Sequence, residues 1–250
     1  MSTWFGFRFF MIVGAFLSLL SMGSAQAGLV AQATRIVFAN DRNEVTLRVR
    51  NTAAVPLLAQ AWVDDGRQDI APEDMNVPFS VTPAVSRVDP DKGIVLRIEY
   101  LGQPLPSDRE SVFWLNILEV PPRDKDDNNA VQFSFRSRLK LFFRPPKFKD
   151  VSAAPSKLHW RIDSAAGTRA LVVTNPTPYH VSFTSIVFSR DGKPVLKKGN
   201  PVSVGKGMIE PFSDKKFELH DPVDSQVDSV SFEIINDYGG LQVFNASLGK

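Results

Sequence analysis

The sequence predicts an all-β fold made of two β-sandwich domains, and three observations support that prediction. Short apolar segments of strand length recur along the chain, separated by Pro, Gly, Asp and Asn. Segments with helical periodicity are scarce between them. The proline pair Pro145-Pro146 divides the chain beyond its N-terminal segment into two parts of similar length. Many short strands without intervening helices favour sandwiches over a parallel sheet.

The first 27 residues have the pattern of a secretory signal peptide. Arg8 precedes an apolar stretch from Phe9 to Met22, and Ala25-Gln26-Ala27 follows as a cleavage site with small residues. A membrane anchor is the alternative, but the apolar stretch is shorter than the roughly 20 residues that span a bilayer. We therefore expect an exported protein whose mature chain begins near Gly28.

The composition limits the chemistry that the chain can perform. The sequence contains no cysteine, which excludes disulfides, a thiol nucleophile and thiolate metal ligands, so the core alone must hold the fold. Its net charge is +2, and a balance this even does not indicate nucleic acid or an acidic membrane surface as a partner.

The predicted strands follow one another at short intervals. Glu44–Arg50 alternates polar and apolar residues, as a strand with one buried face does. Ile94–Ile98 and Ser111–Val120 are more continuous apolar runs. The second half contains four further runs: Leu171–Val173, Val181–Phe188, Val230–Ile235 and Leu241–Phe244.

The domain boundary is predicted at Arg144-Pro145-Pro146-Lys147, because tandem prolines cannot continue a sheet ladder. Residues 28–146 and residues 147–250 then each have about the length of one immunoglobulin-like domain, roughly 100 residues. The polar segment Arg123–Asn129 separates two apolar runs and is predicted to be a hairpin loop.

The sequence offers no assembled set of residues for catalysis, a metal or a cofactor. His159, His180 and His220 lack the short spacing of a zinc motif, and His180 follows a predicted turn, where a surface or turn role is the simpler interpretation. Asp124–Asn128 partly matches a calcium loop without its glycine or its bidentate glutamate. Pro201–Gly205 resembles a nucleophile elbow without its first glycine. We therefore predict that the protein is not an enzyme.

The segment Val131–Phe143 alternates over a greater length than the strands of a small sandwich, which have about 5–6 residues. Two interpretations fit this periodicity. The apolar side chains fill the core of their own domain, or one end of the strand remains available as an edge to which another chain adds a strand. The apolar positions are Val131, Phe133, Phe135, Leu139 and Leu141.

A series of short segments, in order along nearly the whole mature chain, carries a family resemblance. In the first half they are Ala33–Phe38, Asn51–Pro56, Gln60-Ala61-Trp62, Asp108–Asn116, Pro121-Pro122 and Arg138–Pro145. In the second half they are Asn175–Tyr179 and Ile235–Gly240. Together they resemble the PapD-like periplasmic chaperones of the chaperone–usher pathway. The resemblance implies two immunoglobulin-like domains in an L-shaped arrangement, located in the periplasm.

The same resemblance implies what the protein binds. Such chaperones stabilise pilus or fimbrial subunits that lack their final strand, and deliver them to an outer-membrane usher. An arginine of the first strand and a lysine late in the long strand bind the C-terminal carboxylate of the subunit; here they are Arg35 and Lys140. Val131, Phe133 and Phe135 would fill the groove that the missing strand leaves open. Strict alternation places Lys140 on the opposite strand face from these three, unless strand twist or a bulge intervenes.

Three further residues match an ionic contact that holds the domains together in this family: Glu110, Arg144 and Asp237. Pro56 matches a turn proline whose isomer the sequence does not reveal. The sequence also leaves open whether the free protein protects its long strand by self-association. An alternative function is a secreted structural or adhesive subunit of the fibre itself. Such a subunit would normally have one domain and often a disulfide, so the two-domain layout and the lack of cysteine disfavour it.

Overall fold

The computed structural model describes residues 28–39, 42–122, 132–148, 151–165, 168–197, 200–201, 203–219 and 227–249. The predicted signal peptide at residues 1–27, the predicted hairpin loop at residues 123–129 and Val131 lie outside these residues. Strands dominate the described chain, in which helix is limited to two 3-10 turns, Pro72–Asp74 and Pro155–Lys157.

The N-terminal domain is a sandwich of two sheets. Its strands are β1 (Leu29–Ala31), β2 (Arg35–Ala39), β3 (Glu44–Asn51), β4 (Leu57–Asp64), β5 (Phe79–Thr82), β6 (Val85–Val88), β7 (Gly93–Tyr100), β8 (Ser111–Val120) and β9 (Phe135–Arg144). One sheet has the strand order β1-β3-β7-β5, and the other has the order β2-β9-β8-β4-β6. The long segment singled out in the sequence therefore lies in the second sheet as β9.

The C-terminal domain contains the remaining strands of the described chain. They are β10 (His159–Ala165), β11 (Thr168–Asn175), β12 (Val181–Arg190), β13 (Lys193–Pro194), β14 (Leu196–Lys197), β15 (Asn200–Pro201), β16 (Ser203–Ile209), β17 (Ser213–Leu219), β18 (Ser229–Ile235) and β19 (Leu241–Gly249). Their order is β13-β12-β18-β19-β10-β11-β17, with β16 also beside β12 and a separate β14–β15 pair.

Each domain has its own hydrophobic core. Phe38 and Leu115 are fully buried in the first core, and Leu171 and Phe232 are buried in the second. Residues of the two cores do not mix along the chain, because the first core ends at residue 143 and the second begins at residue 158. The prediction of an all-β protein with two sandwich domains is confirmed, while the position of the boundary stays a prediction.

The period-2 pattern of the sequence explains how the strands face these cores. In β3, Leu47 and Val49 are buried while Thr46 and Arg48 between them are exposed. This alternation is the one expected for a strand with one face in a core and the other in solvent.

A buried asparagine secures the bend after one strand in each domain. The Asn51 side-chain amide donates to the carbonyl oxygens of Val55 (2.8 Å) and Val88 (2.9 Å). The Asn175 amide donates in the same way to Tyr179 (2.7 Å) and Glu210 (2.8 Å). The two domains therefore use the same device, although the sequence shows no close internal repeat.

The turn at Pro56 has a trans peptide bond. The cis bond in the described part of the chain is the one between Thr82 and Pro83. The isomer that the sequence left open at Pro56 is thereby assigned.

Candidate functional site: the open edge of β9 and the cleft between the domains

Strand β9 is paired on both sides along only part of its length. Strand β8 accompanies all of it, from Ser111 opposite Phe143 to Glu119 opposite Phe135. Strand β2 runs parallel to β9 only from the Arg35–Lys140 pair onward. The first half of β9, residues 135–139, thus has an open edge among the described residues.

This open edge results from the path of the chain before β2. Strand β1 pairs with β3 in the other sheet, with Leu29 opposite Asn51. The chain then crosses to the second sheet and joins β9 at Lys140. Because the N-terminal segment is shared between both sheets, it leaves the first half of β9 without a neighbour on that side.

The aromatic side chains next to the open edge are exposed. Phe133 is 67% exposed and Phe135 is 64% exposed, whereas Leu139, Leu141 and Phe143 on the same strand are buried. Phe135, Leu139, Leu141 and Phe143 have the same parity within β9 and therefore lie on the same face of the strand, and Phe133 precedes that strand by two residues. Both interpretations of the sequence therefore apply: from Leu139 onward the apolar side chains of β9 fill the core of the domain, whereas Phe133 and Phe135 do not.

Arg35 and Lys140 lie side by side where the open edge ends. They are direct neighbours in the β2–β9 register. Arg35 Nη1 donates to the Ile235 carbonyl at 2.7 Å, and Lys140 Nζ donates to Ser182 Oγ at 3.0 Å. Both acceptors belong to the C-terminal domain, so these cations lie in the cleft between the domains.

The electrostatics of this pair favour an anionic ligand. Burial is the largest cause that lowers the pKa of Lys140, and together with the charges of Arg35 and Lys215 it brings that pKa to about 8. Burial also lowers the pKa of Arg35, while the charges of Asp237 and Glu110 oppose that shift. Arg35 is only 8% exposed, and its Nε is buried without a hydrogen-bond acceptor. A buried donor of this kind is costly until an acceptor reaches it.

The strand register explains how Lys140 reaches the cleft, which the sequence left open. The β8–β9 register is continuous from Phe143 to Phe135, so no bulge lies between Lys140 and Phe135. Lys140 stays on the face of β9 opposite Phe135, and that face is turned toward Ser182 of the second domain. Lys140 and the exposed Phe135 therefore lie on opposite faces of β9.

Glu110, Arg144 and Asp237 form a continuous ionic cluster across the domains. Arg144 Nε and Nη2 lie 3.0 and 2.8 Å from Glu110 Oε1, and Nη1 lies 2.6 Å from Asp237 Oδ2. Burial disfavours the arginine charge, but the hydrogen bond to Asp237 and the charge of Glu110 outweigh it and raise the pKa of Arg144. The structure thus brings together all three residues that the sequence named.

His180 is a fourth member of this cluster, and sequence reasoning missed it. Its backbone N and its Nδ1 lie 2.9 and 3.0 Å from Glu110 Oε2. Its side chain is 4% exposed, so the surface or turn role expected from the sequence is wrong for the side chain. No local signal marks this contact, because Glu110 is 70 positions away.

Comparison with known proteins identifies the family of both domains. Residues 28–149 match the family described as pili and flagellar-assembly chaperone, PapD N-terminal domain. Residues 153–246 match the family described as pili assembly chaperone PapD, C-terminal domain. The chain belongs to the PapD family of pilus-assembly chaperones.

Individual members of the PapD family resemble this chain over nearly their whole length. The probable fimbrial chaperone YadV of Escherichia coli K12 is 40% identical over 233 residues, which cover 90% of this chain and 92% of that protein. The crystal structure of the Pseudomonas aeruginosa CupB2 chaperone is 54% identical with a TM-score of 0.74, covering 88% of this chain and 100% of that one. The Salmonella enterica SafB chaperone, solved in complex with SafA pilin, is 26% identical with a TM-score of 0.71, covering 90% and 99%.

Neither a metal site nor a membrane-spanning helix is formed by the described residues. No group of three or more His, Cys, Asp or Glu side chains in the described ranges is arranged to hold a metal ion. No helix within those ranges has the length and apolar character needed to cross a membrane.

Proposed function

We propose that this protein is a periplasmic chaperone that stabilises pilus or fimbrial subunits and delivers them to an outer-membrane usher. The subunit adds its own strand to the open edge of β9 and ends with its carboxylate at Arg35 and Lys140. The observation that carries the proposal is that the open edge of β9, beside the exposed aromatic side chains, ends at a buried arginine and a half-buried lysine. The SafB chaperone in complex with its pilin provides a family precedent.

The register predicts the direction of the incoming strand. A strand added beside residues 133–139 occupies the same line as β2, which runs parallel to β9 and begins at Arg35. If the incoming strand is also parallel, its C-terminal carboxylate meets Arg35 and Lys140. An antiparallel strand would place its C-terminal carboxylate at the far end of the edge, so the two cations would have no anion to bind. We therefore infer a parallel strand with a free C-terminus.

The aromatic side chains supply most of the affinity in this proposal. Burial of Phe133 and Phe135 in a subunit groove contributes about 1.5–3 kcal/mol each, and Val131 is the third member of the set. A charge-assisted hydrogen bond to the carboxylate contributes about 1.5–3 kcal/mol. The carboxylate site mainly fixes the register, because a slip by one residue turns every side chain to the wrong face.

In this proposal the protein acts by binding its subunit, without catalytic turnover and without a metal or cofactor. The family consists of assembly chaperones, and the cleft contains an ionic cluster that is already satisfied internally. Export to the periplasm is supported by the signal-peptide pattern of residues 1–27.

Co-purification from the native periplasm tests the function and the anchor separately. A C-terminally tagged protein should retain a small exported subunit, and the Arg35→Ala/Lys140→Ala variant should lose most of it. The control, Arg87→Ala/Lys193→Ala, removes two exposed cations elsewhere and should retain the subunit. Equal retention by all three proteins would contradict the anchor assignment. Absence of any exported subunit under conditions of fibre production would contradict the function.

A further inference from the structure

A carboxylate lies against the first residues of the described chain. The backbone nitrogen of Leu29 donates to Glu119 Oε2 at 2.5 Å. The same carboxylate lies so close to Gly28 that any side chain at that position would collide with it. A side chain at position 28 would therefore require the flexible end of Glu119 to move aside.

The backbone holds Gly28 in place independently of Glu119. Its carbonyl oxygen accepts hydrogen bonds from Thr52 N (3.0 Å) and Thr52 Oγ1 (3.2 Å). The next residue, Leu29, is paired with Asn51 at the start of β1. The backbone position of Gly28 is thus fixed by its pairing with the β3 end of the first sheet.

Glu119 lacks a cation among the described residues. None of the lysines, arginines and histidines in that part of the chain forms an ion pair with it. Its side chain is half-buried and has the parity of Leu115 and Ile117, whose side chains are in the core. It is also directly opposite Phe135 in the β8–β9 register. A partly buried carboxylate on an apolar face is costly without a positive partner.

We propose that Glu119 is the binding site for the α-ammonium group of Gly28, which signal-peptide cleavage creates. The proposal rests on the predicted cleavage after Ala27. The nitrogen of Gly28 precedes that of Leu29 by one residue, at most about 3.3–3.6 Å along the chain, so it lies within reach of the carboxylate. Before cleavage this nitrogen belongs to a neutral amide. Processing therefore supplies the charge that the site lacks.

The ion pair has a consequence for the exposed half of β9. Glu119 and Phe135 are cross-strand neighbours whose side chains lie on the same face. The ammonium group neutralises a carboxylate at the edge of the apolar face on which Phe135 is exposed. Cleavage thus adjusts the charge of that face as well as releasing the protein from its leader.

A double-mutant cycle on the purified protein tests the pair. The intact mass of the mature protein first establishes whether it begins at Gly28. Two forms are then compared, one beginning at Gly28 and one with a single alanine before it, each with Glu119 and with Glu119→Gln. In the Gly28 form, Glu119→Gln should raise the unfolding equilibrium constant in urea about two- to fivefold, as for a partly exposed ion pair. In the form with the additional alanine, Glu119→Gln should leave the unfolding equilibrium constant nearly unchanged.

A matched substitution and a salt series complete the test. Glu218→Gln changes an exposed glutamate in β17 and should have the same effect in both forms. If Glu119→Gln does not fold, the two forms with Glu119 intact still differ, and their difference should shrink in 1 M salt because the charge is screened. A mature chain that begins elsewhere, an equal effect of Glu119→Gln in both forms, or a difference insensitive to salt would each overturn the proposal.

Discussion

Lys140 is a cation held where the fold disfavours its charge. Its ammonium group donates to Ser182 across the cleft, and Arg35 is its neighbour in register. Burial and the neighbouring positive charges lower its pKa to about 8. A carboxylate that binds between Lys140 and Arg35 offsets this cost, so the same feature that weakens the free fold favours the ligand.

Subunit affinity should depend on pH through Lys140. Below pH 8 the free protein carries the charge already. As the pH rises from about 8 toward the ordinary lysine value of 10.5, the free protein loses the proton that the complex requires, so the affinity falls. Measurement of the affinity of the protein for the co-purified subunit at several pH values between about 7 and 9.5 tests this expectation. Lys140→Arg remains charged and should give a flatter curve, and identical curves for both proteins would contradict the assignment.

The stability of the free protein should show the opposite effect of the same charge. Because the folded pKa is lowered, the unfolded chain binds more protons between about pH 8 and 10.5, and wild-type stability rises through that window. Lys140→Met should therefore be more stable than wild type at pH 7, and its advantage should shrink as the pH rises to 10.5. Urea unfolding at four pH values measures both. A constant difference at all pH values would show that the charge is not the cause.

At the scale of the element, β9 shows why periodicity alone left two interpretations open. Phe133, Phe135, Leu139 and Leu141 share one parity, so a period of 2 assigns them all to one face. The change from exposed to buried apolar side chains falls between Phe135 and Leu139, just before β2 begins to pair at Lys140. That point depends on contacts between segments about 100 positions apart, which a single sequence does not display.

The two halves of β9 should respond differently to substitution. Phe133→Ser/Phe135→Ser should lower subunit retention strongly, while the free energy of unfolding changes little because both side chains are exposed. Leu141→Ala in the buried half should cost about 2–5 kcal/mol of stability. Subunit retention and urea unfolding of the two variants measure this separation. A large loss of stability in the double phenylalanine variant would place those side chains in the core of the domain.

Self-association of the free protein is a prediction of the same open edge. An exposed strand edge with aromatic side chains can pair with a second copy. Sedimentation at increasing concentration should show association of the free wild-type protein and less of it in Phe133→Ser/Phe135→Ser. Equal behaviour of the two proteins would show that this edge is not the contact.

At the scale of the whole molecule, the fold could be predicted from local sequence signals, whereas the candidate site could not. The strand pattern, the scarcity of helical periodicity and the proline pair were enough to predict two sandwiches, because alternation and turn residues are local signals. Arg35, Lys140 and the Glu110–Arg144–Asp237 cluster were named only through the family resemblance, and the structure brings each group together. His180 had neither a local nor a family signal, since its partner is on the other domain.

The ionic cluster should be the most sensitive point of the junction between the domains. Arg144→Ala leaves Glu110, whose side chain is 1% exposed, as a buried charge without its arginine, and removal of one member of such a group costs about 3–5 kcal/mol. Arg161→Ala breaks an exposed pair with Asp214 and should cost about 0–1 kcal/mol. Urea unfolding measures both changes. If the two substitutions cost the same, the cluster does not hold the domains together.

Replacing the three charged residues of the cluster by uncharged ones separates its effect on the free energy of unfolding from its effect on the orientation of the domains. Glu110→Gln/Arg144→Met/Asp237→Asn removes every charge at once, and replacement of a buried ionic group by uncharged residues is often close to neutral. We expect this variant to recover most of the stability lost in Arg144→Ala. Its cleft lacks the bidentate contacts that fix one domain against the other, so small-angle scattering should show a wider range of domain orientations and subunit retention should fall. A variant that is both stable and fully able to retain the subunit would show that the cleft angle is set by Arg35, Lys140 and their partners in the second domain.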